Sequence, residues 1–169
     1  MVLEQTLAII KPDAVHRSYE ILDDIVARGF TILRKRRVRI SPEQANEFYA
    51  EHYGKEFFPR LIGFMSSGPI MVLVLAKADA ITSWREALGP TSSEKARDTA
   101  PASLRAKYGT DNTRNALHGS DSLVSAMREI KFFFPETPVA SSSDAGEARE
   151  YLEKQVNPTL IRGLTALCK

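Results

Sequence analysis

The sequence predicts an α/β fold of the α+β kind. It is a ferredoxin-like sandwich in which a four-stranded antiparallel sheet is covered by helices on one side, with extra helices and a C-terminal helical extension. Three observations predict it. Apolar, β-branched stretches alternate with helix-periodic ones in the order strand, helix, strand, helix, strand, helix, strand. The stretch Ile70 to Ala76 is apolar on both faces, as a central strand requires. The 169 residues, 43% of them hydrophobic, suffice for one compact domain with a short appendage and not for two full domains. The domain is expected over residues 1–136, a linker over 137–143 and a helical segment over 144–169.

Gln5 to Lys11 reads as the first strand, because Thr6-Leu7-Ala8-Ile9-Ile10 is apolar and β-branched and Lys11-Pro12-Asp13 stops it. Ser18 is placed to cap a helix to about Arg28 that carries Ile21, Leu22, Ile25 and Val26, and Gly29 ends it. A second strand follows from about Thr31 to Ile40. Ser41 caps the next helix with Pro42 at its first position, where a missing N–H costs nothing, and this helix carries Phe48 and Tyr49 before Gly54. Ser66-Ser67-Gly68-Pro69 turns the chain into strand three, Ile70 to Ala76, and Asp79 is placed to cap a helix over Ala80 to Leu88. Gly89 to Ser103 reads as a long polar loop. A helix over Ser122 to Ile130, capped by Ser120 or Asp121, precedes the expected last strand, Ile130-Lys131-Phe132-Phe133-Phe134.

Lys+Arg 23 against Asp+Glu 21 gives a net charge of +2, too balanced to argue for nucleic acid or an anionic membrane. The run Arg34-Lys35-Arg36-Arg37-Val38-Arg39 is the one local exception; without interleaved aromatics it reads as a solvated edge or subunit-contact strand rather than a nucleic-acid surface. Cys168 stands alone, which allows no intrachain disulfide and suits a reducing compartment, and it forms no metal-ligand spacing with the histidines. Nothing at Met1 to Thr6 resembles a signal peptide, and no apolar run approaches the ~18 residues of a membrane span. No Gly-x-x-x-x-Gly-Lys-Ser/Thr occurs, so any phosphate would be held by side chains.

The stretch with most chemistry is Asn115-Ala116-Leu117-His118-Gly119-Ser120-Asp121. A neutral imidazole has a free lone pair near pH 7 and can act as nucleophile or base. Gly119 leaves room for a bulky group to approach the ring, and Asn115 and Ser120 offer short hydrogen-bonding side chains. Taken alone, the stretch could equally be a turn before a helix. It resembles, however, the Asn-x-x-His-Gly-Ser-Asp signature of nucleoside diphosphate kinases, and the similarity runs from about Gln5 to Glu136.

The resemblance implies that His118 is phosphorylated by a nucleoside triphosphate and dephosphorylated by a diphosphate, with Glu129 orienting the ring through its second nitrogen and Ser120 holding that carboxylate. It implies a phenol, Tyr49, near the histidine, a base-stacking Phe57, and a nucleotide-binding set of Lys11, Arg85, Thr91, Arg105 and Asn115. Mg²⁺ would arrive on the nucleotide phosphates, with no metal ligands from the chain. A homo-oligomer of uncertain order is implied as well. The chain departs from the family pattern in a shorter loop at Ala14 to Tyr19, a longer one at Gly89 to Ser103 with Pro101-Ala102-Ser103 in place of Pro-Gly-Thr, and Asn112 where an apolar residue meets the base.

Beyond the linker, Asp144 can cap one helix and Asn157-Pro158 can open another, with Leu160, Ile161, Leu164 and Leu167 on one apolar stripe. The pattern resembles the first helix of the dumpy-thirty docking motif, which implies docking to an amphipathic partner helix. A kinase-like domain followed by this motif is similar to a branch of the family associated with ciliary radial spokes, which implies radial spoke subunits as partners and a cytoplasmic, axonemal location. Two functions remain open on these grounds: a phosphohistidine kinase, or a structural subunit that keeps the kinase fold.

Overall fold

The computed structural model describes residues 3–136. The expected linker and C-terminal helical segment lie outside them. Strands β1 (Glu4–Ile10), β2 (Thr31–Val38), β3 (Ile70–Lys77) and β4 (Leu117–Gly119) form one antiparallel sheet in the order β2-β3-β1-β4. Around it lie α1 (Ser18–Ala27), α2 (Pro42–Phe48), α3 (Phe58–Met65), α4 (Ala80–Leu88), α5 (Ser93–Thr99), α6 (Leu104–Tyr108) and α7 (Leu123–Phe133). The four-stranded antiparallel, ferredoxin-like architecture is as expected.

The helices, however, cover both faces of the sheet. Leu7 and Ile9 of β1 and Val72 and Val74 of β3 pack with Phe48, Ile62, Met65, Ile130 and Phe133, which come from α2, α3 and α7. Their neighbours Ala8, Ile10, Leu73 and Leu75 pack on the other side with Ile21 and Ile25 of α1, Trp84 and Leu88 of α4, and Leu104 of α6. A strand apolar on both faces needs a layer on each, because successive side chains point to opposite sides.

The last strand is also displaced. Residues 130–133 continue α7, where Ala126, Ile130 and Phe133 recur at helical spacing and are buried. The fourth strand is Leu117–Gly119, too short to show alternation in the sequence. Caps differ in detail. Ser41 makes a reciprocal capping box with Gln44, but Ser18 is already the first residue of α1 and caps nothing. Asp79 makes no side-chain cap, and Glu4 Oε1 instead accepts the Ile81 N–H at 2.8 Å. Ser122, rather than Ser120 or Asp121, caps α7. The long loop after Gly89 holds α5, and α3 rises where no element was expected.

Asp24 on α1 joins that helix to α6. Its carboxylate accepts from Arg28 Nε at 2.9 Å, Lys107 Nζ at 3.0 Å and the Tyr108 hydroxyl at 3.2 Å. Burial disfavours its charge, yet the hydrogen bonds from Lys107 and Arg28 prevail and hold it below the usual carboxylate range. Such a group stabilises the fold above its unfolded pKa of about 3.9, and that contribution is lost as pH falls through the lower folded value. Asp24→Asn is expected to lower stability at neutral pH by about 1–2 kcal/mol and to narrow the gap to wild type as pH drops below 4, read from denaturant melts at both pH values.

Candidate active site

His118 owes its surroundings to the register of β4 on β1. Ile9 pairs with His118, and cross-strand partners face the same side, so the imidazole turns toward the layer of α2 and α7 while Leu117 and Gly119 face the other. There its ring meets Phe48 edge-on at 5.5 Å and Tyr49 at 5.9 Å between centroids. Nε2 is hydrogen-bonded to Glu129 Oε1. Glu129 sits within the buried stripe of α7, where an unpaired carboxylate would be costly, and the imidazole is its partner. A carboxylate can only accept, so Nε2 carries the proton and the lone pair lies on Nδ1.

The opposite side of the strand is closed by Trp84, whose Nε1 donates to the His118 carbonyl at 3.1 Å. A Cβ on residue 119 would lie 2.6 Å from Trp84 Cδ1. The space that glycine provides is therefore filled by the indole, not left open to a ligand as expected.

Three basic side chains act on one another beside the strand that carries His118. Lys11, at the end of β1, is buried and donates Nζ to Asn115 Oδ1 at 2.7 Å. Burial, aided by the Arg105 charge and opposed by Asp13, pulls its ammonium down to about 7. Arg105 of α6 donates to the carbonyls of Gly89 at 2.9 Å and Leu117 at 3.2 Å, while its buried Nε has no partner. Burial first and Arg85 second lower it to about 10. Arg85 stands exposed on α4.

Asn115 braces the group: its Nδ2 donates to the carbonyls of Thr91 at 3.0 Å and Asn112 at 3.1 Å. Thr91 is thereby tied in through its backbone and its side chain stays exposed. The Tyr49 hydroxyl is buried without a partner, and burial together with the Glu129 charge raises its pKa. Phe57 is 47% exposed and linked to Tyr49 through His52, whose ring lies 5.5 Å from Phe57 and 6.3 Å from Tyr49. Ser120 departs from expectation: its Oγ accepts the Leu7 N–H at 3.3 Å, which extends the β1–β4 ladder, and it does not hold Glu129.

This geometry has close relatives. The family model described as nucleoside diphosphate kinase matches residues 4–139. The chain belongs to the nucleoside diphosphate kinase family. A second model, the Dpy-30 motif, matches residues 147–169, outside the described residues. The chain is 53% identical over 167 residues to nucleoside diphosphate kinase homolog 5 of Danio rerio, covering 99% of this chain and 77% of the relative, and 53% identical to its Homo sapiens counterpart, covering 79% of that one. Among solved structures, nucleoside diphosphate kinase of Aquifex aeolicus is similar at TM-score 0.76 and 48% identity, covering 78% of this chain and 95% of that one. The Halobacterium salinarum enzyme in complex with CDP gives TM-score 0.73 at 34% identity, over 86% and 97% of the two chains.

Sequence reasoning missed the contributions of this kinase-family chain's Asp13, Phe48 and Trp84. Asp13, the last residue of the Lys-Pro-Asp stop, and Trp84 act through backbone groups of residues distant in sequence, which spacing does not announce. Gly119→Ala is expected to cost about 1–3 kcal/mol in chemical denaturation and to shift the emission of Trp84, the single tryptophan, because the indole must move.

Proposed function

We propose that the protein is a phosphohistidine nucleoside diphosphate kinase acting on nucleoside tri- and diphosphates, with Mg²⁺ as part of the nucleotide substrate. The single observation that supports this best is the His118–Glu129 pair, which leaves Nδ1 as the free nucleophile beside buried, unpartnered donors at Tyr49 and Arg105. In the first half-reaction the Nδ1 lone pair attacks the terminal phosphorus in line; the P–N bond forms, the bond to the bridging oxygen breaks, and the nucleoside diphosphate leaves with that electron pair. Glu129 keeps the proton on Nε2 and balances the charge growing on the ring. In the second, a terminal oxygen of an acceptor diphosphate attacks the same phosphorus and the P–N bond breaks.

Lys11, Arg85 and Arg105 supply positive charge for the phosphates, with Tyr49 and Thr91 as hydroxyl donors and Phe57 as the stacking surface for the base. Asn115 orients Lys11, and Ser120 fixes the strand that carries His118. Residues 147–169, matched by the Dpy-30 model, are proposed to dock an amphipathic helix of a radial spoke subunit at the axoneme; the domain order supports this. A homo-oligomer is part of the same proposal.

A second reading, a non-catalytic subunit that keeps the fold, is favoured by the Lys11–Asn115 hydrogen bond, which satisfies the ammonium internally. The two separate on one experiment. Incubation with Mg²⁺·ATP labelled at the terminal phosphate is expected to give acid-labile label that GDP removes, and His118→Ala is expected to take up none. Absence of label in wild type that still binds ADP would establish the second reading.

A further inference from the structure

The corner Lys11-Pro12-Asp13 grips one residue, Ala116, through the peptides on both its sides. Lys11 N donates to the Ala116 carbonyl at 2.8 Å, and Asp13 Oδ2 accepts the Ala116 N–H at 3.1 Å. Ala116 has φ of 72°, one of two non-glycine residues with positive φ among those described. The left-handed region is unfavourable for an alanine, which persists there only where its surroundings hold it. On either side stand Asn115, which holds the Lys11 ammonium, and the strand of His118.

Asp13 does more than an acceptor needs to do. Its second oxygen, Oδ1, is sealed from solvent and has no hydrogen-bond partner. A neutral amide would accept the Ala116 N–H without leaving a charged oxygen desolvated and unmatched, so the carboxylate is the costlier choice for bracing alone. What the charge adds is a counterweight for Lys11. The groups acting on that ammonium are its burial and the Arg105 guanidinium, which disfavour the charged form, and the Asp13 carboxylate, which favours it; Asn115 is its neutral hydrogen-bond partner. Asp13 itself is raised by burial and by Asp111, and lowered by the Ala116 N–H and by Lys11.

We propose that Asp13 is a positioning residue of the phosphate site: its carboxylate locks the left-handed Ala116 turn that carries Asn115 and leads into His118, and its charge acts on the Lys11 side chain that Asn115 holds there. The proposal rests on the reading of this site as one for nucleotide phosphates. It divides Asp13 into two separable contributions, a hydrogen bond and a charge.

Asp13→Asn keeps the acceptor and removes the charge, whereas Asp13→Ala removes both. The Lys11 side chain, followed by nuclear magnetic resonance of lysine-labelled protein, is expected to titrate at lower pH in Asp13→Asn than in wild type. ADP affinity of that variant is expected to fall roughly fivefold or more at about pH 8 and much less at about pH 6, where Lys11 remains charged. Asp13→Ala is expected to add a lower melting temperature and displaced Ala116 to His118 resonances. An unchanged Lys11 midpoint together with equal ADP affinity at both pH values in Asp13→Asn would overturn the proposal. Should neither variant fold, the wild-type Asp13 carboxyl resonance decides: a step at the Lys11 midpoint is expected, and its absence overturns the coupling. Failure of wild type to bind ADP would sink the nucleotide reading, while the Lys11 titration would still judge Asp13.

Discussion

The register of β4 against β1 is the constraint on which the site depends. One residue of slip would send His118 to the Trp84 side and bring its neighbours under Tyr49 and Phe48. A three-residue strand has little pairing of its own to prevent this, so the register is pinned from outside the ladder. Lys11 N bonds Ala116 O at one end, and at the other Ser120 N bonds Leu7 O at 3.3 Å while Ser120 Oγ receives the Leu7 N–H. The short side chains around the histidine thus act on the backbone. Trp84 completes the arrangement by bonding the His118 carbonyl, so the ring is presented by a peptide held on both sides.

Because both faces of the sheet are buried, each layer delivers polar ends into a region that excludes water. From α2 and α7 come Tyr49 and Glu129; from β1 and α6 come Lys11 and Arg105. Glu129 Oε1 is engaged by the imidazole, and Asp13 is the carboxylate that acts on Lys11. The lowered values of Lys11 and Arg105 have the same origin: burial first, then a neighbouring guanidinium, Arg105 beside Lys11 and Arg85 beside Arg105, opposes the charge until an anion arrives. A polyanion entering here would restore the charged forms and find the free Tyr49 hydroxyl and Arg105 Nε as donors.

Periodicity located β1, β2, β3, α1, α2 and α4, because long apolar patterns survive without tertiary context. It failed at β4 and at residues 130–133, where three residues cannot show a period and a phenylalanine run suits strand and helix alike. The site was legible as residue types at motif spacing: His118 and Glu129 do meet, and Lys11, Asn115, Thr91 and Arg105 share one hydrogen-bonded neighbourhood. What could not be read were contacts to backbone. Gly119 admits an indole rather than a ligand, and Ser120 closes a ladder rather than holding a carboxylate. Backbone acceptors carry no sequence identity, so spacing cannot announce them.

The basic strand and the two loops flanking α1 and α6 have defined local contacts. Arg36 donates to the Phe133 carbonyl at 2.8 Å and to Glu136 at 2.8 Å, and Arg34 reaches Glu136 at 3.5 Å, so two of the run's cations are engaged at the end of α7. The loops at Ala14 to Tyr19 and at Gly89 to Ser103 are both anchored around α1 and α6. Arg17, from the first, stacks over Tyr108 at 4.6 Å; Ala102, from the second, accepts from Arg28 at 2.6 Å; and Asp24 ties Arg28, Lys107 and Tyr108 together between them. All of this lies with α1 and α6, across the sheet from the imidazole ring. The Asp24 contacts of α1 and α6 lie apart from Glu129, Tyr49 and Phe48, and the two layers are linked by the backbone of β4, by the reach of Arg105 to Leu117 and by the Arg105 charge acting on Tyr49.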